Sequence, residues 1–248
     1  MTRSPSDTAE LKTAELKTAE LKQQCLIGAR ILWRELRDVY GHVSCRLPDG
    51  SGYVLKMIRL PPEPIDPDQV MTFDNDAQCI DGDQWILEGS IHSEILRARP
   101  DVNSVVHVHP HLATALSTTG KTLYAITHQS AVFEEGLPMF HGQWITTPEL
   151  GRDLAACLGS SVGALLKGHG LVVVGASVPS AVELALYAEQ TARQLLLASL
   201  AGVPELFPEE IRHGPVRQSA MRSGGEANNL WRQLIWEMEL EKPNRNRD

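Results

Sequence analysis

SVVHVHPH, residues 104–111, is a short β-branched run that stops at Pro110. A run of this length and composition reads as a strand, and the proline opens the next element, the helical HLATALSTT. Successive side chains on a strand alternate, so His107 and His109 leave the same face of the sheet. Two imidazoles on one face can hold one ion. A third histidine stands in Lys167-Gly168-His169-Gly170, between the strand-like arms of ALLKGHGLVVVG (164–175). Glycines on both sides let the backbone bend tightly and bring the ring toward a site. An isolated histidine is ordinarily a hydrogen-bonded core or surface residue. The pairing of H-x-H on a β-run with a distant G-H-G favours a metal site. Zinc, manganese, iron and cobalt all accept imidazole, and a catalytic ion needs about three protein ligands with a position left open. His111 follows Pro110, where the chain turns, and is a candidate contact outside the ligand set.

Outward from this strand, the chain alternates helical and extended patterns. CLIGARILWRELRDVY places Ile27, Ile31, Leu32 and Leu36 on one helical face, and predicts a helix from about Gln23 to Tyr40. HVSCRL, GYVLKMI and QVMTFD read as antiparallel strands separated by Gly and Asp turns. Residues 90–99 predict a helix that stops at Pro100, and another begins at Pro148 and runs to about 158. LYAITH and LPMFHG suggest further short strands. A long helix is expected from Val178 to Leu200, with helical pieces near 204–212 and 225–240. The sum is one α/β layered domain with a largely antiparallel sheet. Its expected limits are 23–242, followed by a charged tail at 243–248. TAELK occurs three times between Thr8 and Lys22, so residues 1–22 are expected to form a helical or disordered extension. A period of five does not stack Leu11, Leu16 and Leu21 on one helical face.

Composition narrows the function classes. The 248 residues are 42% hydrophobic and 22% charged, with no apolar run long enough to span a bilayer. MTRSPSDTAELK lacks the apolar core of an export signal, so a cytoplasmic protein is expected. A net charge of −8 without a basic patch argues against nucleic acid as a partner. Four scattered cysteines, with no C-x-x-C pair, read as reduced thiols.

YGHVSCR (40–46), LEGSIHSEILRARPDVNSVVHVHPH (87–111) and LLKGHGLVVVG (165–175), followed by a long Ala/Glu-rich helix, together resemble the class II aldolase/adducin family across residues 25–200. The resemblance implies a single-domain α/β/α fold around a mainly antiparallel sheet, and a homotetramer with active sites between subunits. It implies His107, His109 and His169 as ligands of a divalent ion: Zn2+ or Mn2+, with Fe2+ and Co2+ as further candidates. It places Glu88 at the family's catalytic carboxylate. From spacing alone, Glu88 could be a fourth ligand or an acid/base, but a charge at a helix start is the favoured reading.

Two departures bear on substrate. Sugar-phosphate members carry G-N-x-S and S-S-E, whose Asn and serines help hold the phosphate. Here His42 replaces the Asn, and Ile86 and Leu87 precede Glu88. An apolar pair offers a phosphate dianion no hydrogen bond. G-H-V-S-x-R with E-x-x-I-H-x-E-I-x-R-A-R-P-D-V is similar to a decarboxylase branch acting on hydroxylated aromatic or ring-cleavage carboxylic acids. That resemblance implies a small carboxylic acid as substrate and an enolate stabilised by the ion. Glu88 is expected to return a proton to carbon, with its pKa raised by the apolar neighbours. Arg46, Arg59, Ser44 and His42 are candidate substrate contacts, and His128 is a candidate proton donor. Trp85, Phe133 and Phe140 are candidates for an apolar wall. The alternatives are an aldolase, epimerase or dehydratase of a (phospho)sugar, and a non-catalytic adducin-like scaffold.

Overall fold

A computed structural model describes residues 5–58, 69–81, 86–142, 144–213 and 229–240. Helix α1 (Pro5–Leu36) carries the TAELK repeats without a break into the amphipathic segment. Strands β1 (His42–Arg46), β2 (Gly52–Met57) and β3 (Met71–Asp74) follow, then α2 (Gly89–Ala98), β4 (Ser104–Val108) and α3 (His111–Thr118). A 3-10 turn (Gln129–Phe133) leads to β5 (Met139–Phe140), α4 (Pro148–Leu158), β6 (Gly163–Leu166) and β7 (Gly170–Gly175). The last elements are α5 (Val178–Ser199), α6 (Glu209–Arg212) and α7 (Asn229–Leu240).

The seven strands form one sheet in the order β3-β2-β1-β4-β7-β6-β5. Every pairing is antiparallel except β5 with β6. The β-branched strands β4 and β7 lie at its centre, buried on both faces. Val43, Cys45, Val54, Val106, Val108 and Val173 pack with residues of α1, α5 and α7. Leu55, Val105, Val172 and Val174 point the other way, to α2 and α4. The fold is therefore α/β/α, and His42, Ser44 and His107 share the α2/α4 face because each is two residues, or one cross-strand pair, from the next.

Local chemistry sets several helix limits. Thr147 caps α4 by accepting a hydrogen bond from the Leu150 N–H at 3.4 Å, and Pro148 occupies the first turn. Ser177 and Ser180 form a reciprocal capping box at the start of α5.

Three expected elements differ, and one of them, the piece near 204–212, is helical only at Glu209–Arg212. The first helix ends at Leu36 instead of Tyr40, because Arg37 adopts a left-handed conformation with φ of 57°. LYAITH is not a strand. Ala125 and Leu137 donate backbone bonds to Glu134 and Leu123, and the Ser130 hydroxyl takes the N–H groups of Ile126 and Thr127. The segment's backbone groups are thus satisfied by a turn rather than by a ladder.

Candidate metal centre

Glu88, His107, His109 and His169 each offer one ligand atom, and these atoms lie within 4.8 Å of one another. β4 supplies His107 and carries His109 just past its end, the β6–β7 turn supplies His169, and Glu88 precedes α2. His107 is fully buried, and its Nδ1 donates to the Leu171 carbonyl at 3.1 Å. That bond fixes the tautomer, so Nε2 carries a bare lone pair toward the cluster. This Nε2 is buried with no hydrogen-bond partner among the described residues. Glu88 Oε2 lies 3.4 Å from it, another acceptor facing an acceptor. Nε2 of His109 and Nε2 of His169 stand 3.3 Å apart. The His107 lone pair and the Glu88 oxygen repel one another unless a cation lies between them, and the nitrogens of His109 and His169 close on the same point. The residues therefore fit a divalent metal, with a nitrogen-rich set suited to zinc, manganese, iron or cobalt.

The surrounding bonds hold the ligands in place. The Asp38 carboxylate accepts the His109 backbone N–H at 2.6 Å and faces its Nδ1 at 3.2 Å. It also accepts the N–H groups of Tyr40 and Gly41. Burial alone would raise its pKa, but the hydrogen bond and charge at His109 and these N–H groups bring it down from 3.8 to about 2. Glu88 follows the same balance. Burial pulls upward, while the hydrogen bond and charge that His107 supplies when its ring is protonated, the Ile145 N–H at 3.1 Å and the charge at His169 outweigh it, leaving the carboxyl at about 2. The expected rise is overturned: Glu88 is an ionised carboxylate, because its neighbours in space are imidazoles and an N–H, not Ile86 and Leu87.

The other expected residues divide. His42 pairs directly with His107 across β1 and β4, with ring centres 5.1 Å apart. Ser44 is fully buried and bonds His92 Nδ1 at 2.6 Å, so it reaches the site only through other side chains. Burial holds His42 well below its ordinary pKa and takes His92 down to about 3, so both rings are neutral. Arg46 is not at the cluster. Its guanidinium donates to the carbonyls of Leu96, Arg99 and Val102, closing the end of α2. His128 is outside the cluster and packs edge-on against Phe207. Phe133 and Phe140 are core residues. Arg59 and Trp85 lie outside the described residues. Sequence reasoning missed Asp38 altogether, and gave His92 no role.

Residues 31–196 match the family model described as the class II aldolase and adducin N-terminal domain, and the chain belongs to that family. The decarboxylase tropJ of Talaromyces stipitatus is 30% identical over 190 residues, which cover 67% of this chain and 71% of that protein. An L-fuculose phosphate aldolase of Escherichia coli is 30% identical over 175 residues, covering 69% of this chain and 80% of the aldolase. A solved aldolase II superfamily protein from Pseudomonas syringae superposes with a TM-score of 0.75 at 25% identity, covering 90% of this chain and 94% of that one. Both lyase chemistries occur among these relatives at equal identity, so the choice between them falls to the site. No helix among the described residues is long and apolar enough to cross a membrane.

Proposed function

We propose that the protein is a divalent-metal-dependent decarboxylase of a hydroxylated aromatic carboxylic acid, or of a related 2-hydroxy or oxo dienoate formed by ring cleavage. The observation that carries this reading is the environment of His42 and Glu88. His42 has one ring nitrogen committed to His92, while Ile86 is in the core and Leu87 is exposed. Among the described residues a phosphate dianion would meet few donors there, whereas a planar carboxylate needs fewer. The exposed rings of Tyr40, edge-on to His109, and Trp144, next to the residue that bonds Glu88, suit an aromatic substrate.

His107, His109 and His169, with Glu88 beside them, would hold the ion, Zn2+ or Mn2+ in the first instance. When bound, it supplies Lewis-acid stabilisation for negative charge developing on the substrate. The chain's own part is proton handling. Ionised Glu88 acts first as a base, taking the proton of the substrate hydroxyl. The bond from the ring or chain carbon to the carboxylate then breaks, carbon dioxide leaves, and the electron pair stays on carbon. Glu88 returns its proton to that carbon. His128 would act only on a neighbouring site in a cytoplasmic homotetramer.

The test is carbon dioxide release by metal-reconstituted protein. Its substrates are ortho-hydroxy aromatic mono- and dicarboxylates, their ring-cleavage acids, and phosphorylated ketoses as controls. Release abolished by chelator and by His107→Ala is expected. Silence on every acid, with cleavage of a ketose phosphate, would replace this reading with the sugar-phosphate aldolase alternative.

A further inference from the structure

Behind the cluster runs a buried polar chain that the proton handling above does not use. Nδ1 of His42 lies 2.6 Å from Nε2 of His92, and Nδ1 of His92 lies 2.6 Å from Oγ of Ser44. His92 and Ser44 have no exposed surface, and His42 has almost none. The chain begins on α2 and β1, one helical turn from Glu88 and directly across from His107.

Two directions of the hydrogens satisfy these contacts. The Ser44 hydroxyl has two acceptors in reach: the Val105 carbonyl at 3.5 Å and His92 Nδ1 at 2.6 Å. If His92 Nδ1 carries a hydrogen, it donates to Ser44, Ser44 donates to Val105, and His42 donates from Nδ1 and leaves Nε2 bare. If Ser44 donates to His92 Nδ1, the shorter contact, then His92 donates from Nε2 to His42 Nδ1, and His42 carries its own hydrogen on Nε2. In this second direction nothing among the described residues bonds that Nε2–H. It is a donor beside the metal cluster, on a ring whose rotation is fixed by its contact with His92, and a carboxylate, which only accepts, selects this direction.

We propose that Ser44 and His92 are positioning residues that fix His42 as the Nε2–H tautomer, and that this N–H donates to the carboxylate of the metal-bound acid. The proposal rests on the decarboxylase reading for the identity of the acceptor. It rests on geometry alone for the coupling of His92 to His42. One rigid donor orients a planar carboxylate without adding positive charge that would hold it in the ground state.

A double-mutant cycle tests it, with salicylate as the probe and calorimetry on metal-loaded protein as the measurement. His42→Ala and His92→Leu are each expected to weaken salicylate binding about tenfold, the scale of one hydrogen bond. The double variant should bind no worse than His42→Ala alone, because His92 acts only through His42. His92→Gln, whose side-chain amide can donate where Nε2–H did, should recover most of the loss. Metal affinity should fall less than salicylate affinity throughout, given that neither His42 nor His92 is a ligand or hydrogen-bonds one among the described residues. Additive losses, or a fall in metal affinity that matches the fall in salicylate affinity, overturn the proposal. If the wild type binds a ketose 1-phosphate and not salicylate, the decarboxylase reading falls. The same cycle on the phosphate then decides the coupling: non-additive losses uphold the role of His92, and additive ones end it. Binding of neither probe overturns the donor role of His42.

Discussion

Asp38 grips His109 at two points, its carboxylate taking the backbone N–H at 2.6 Å and facing ring Nδ1 at 3.2 Å. The side chain of Asp38 is 1% exposed, so water cannot substitute for it. A carboxylate on the far nitrogen fixes the tautomer of a ligand histidine and raises its basicity. Asp38→Ala is therefore expected to lower metal affinity roughly 10- to 100-fold. Competition against a chromophoric chelator measures it, and an unchanged affinity would show that the β4 backbone alone orients His109.

The same carboxylate makes the fold acid-sensitive. Asp38 titrates at about 2 instead of 3.8, and Glu88 at about 2 instead of 4.5. A carboxylate whose pKa is lower in the folded chain stabilises the fold fully above its unfolded value. That stabilisation is lost as pH falls through the folded value. The window here runs from about pH 4.5 down to 2, and for Asp38 the term is on the order of 2 kcal/mol. Thermal melts of metal-free Asp38→Asn should start lower than wild type at pH 6 and depend less on pH between 4 and 2. Parallel curves for the two proteins would remove Asp38 from the acid response.

How far the sequence could be read follows from which residues obey a periodic rule. His107 and His109 were legible because strand side chains repeat every two residues. His169 was legible because glycines flank it. Asp38 was hidden because RELRDVY continues a helical pattern, and only the left-handed turn at Arg37 carries Asp38 inward. The available signal was an Asp followed by Gly41 at a helix stop, where its side chain takes the N–H groups of the two residues before β1. His92 was legible in part, one helical turn from Glu88 and so on the same face. Arg46 shares the strand face of His42 and Ser44, but lies at the far end of β1, where the carbonyls of α2 attract a cation. Periodicity gives the face and not the distance along it.

Metal binding should appear as stability. A ligand that binds only the folded state, at 100 times its Kd, adds about 2.7 kcal/mol. For a chain of this size that raises Tm by roughly 5–10 °C. Zinc or manganese is expected to produce such a shift in wild type and none in His107→Ala. A shift of equal size in the variant would place the ion elsewhere.

Arg46 separates a structural from a substrate role. Its four contacts to the carbonyls of Leu96, Arg99 and Val102 tie β1 to the end of α2. Arg46→Ala leaves these acceptors unpaired and is expected to cost about 1–3 kcal/mol, read from denaturant midpoints. The metal affinity and the KM of any turned-over acid should stay near wild type. A raised KM at unchanged stability would restore it as a substrate contact.

The spacing between β4 and β7 is set by a missing side chain. A Cβ on Gly170 would come within 2.5 Å of the Val108 carbonyl, 3.2 Å of His109 Cδ2 and 3.4 Å of His107 Cε1. Backbone oxygen cannot yield, so β7 would have to move off β4, and the Leu171 carbonyl that fixes the His107 tautomer would move with it. Gly168, two residues earlier, differs in kind. Its φ of +69° strains any other residue, but nothing lies nearer its Cβ position than Thr118 Cγ2 at 3.8 Å. Gly170→Ala is expected to cost about 1–3 kcal/mol, as overpacking does, and to weaken metal binding by about tenfold or more, since two ligands shift together. Gly168→Ala should cost about 1 kcal/mol for the left-handed backbone, with metal affinity kept within a few-fold. Denaturant melts and chelator competition on both variants measure the two effects separately. The reverse ranking in metal affinity would show that the turn carrying His169, not the contact between β4 and β7, governs the geometry of the site.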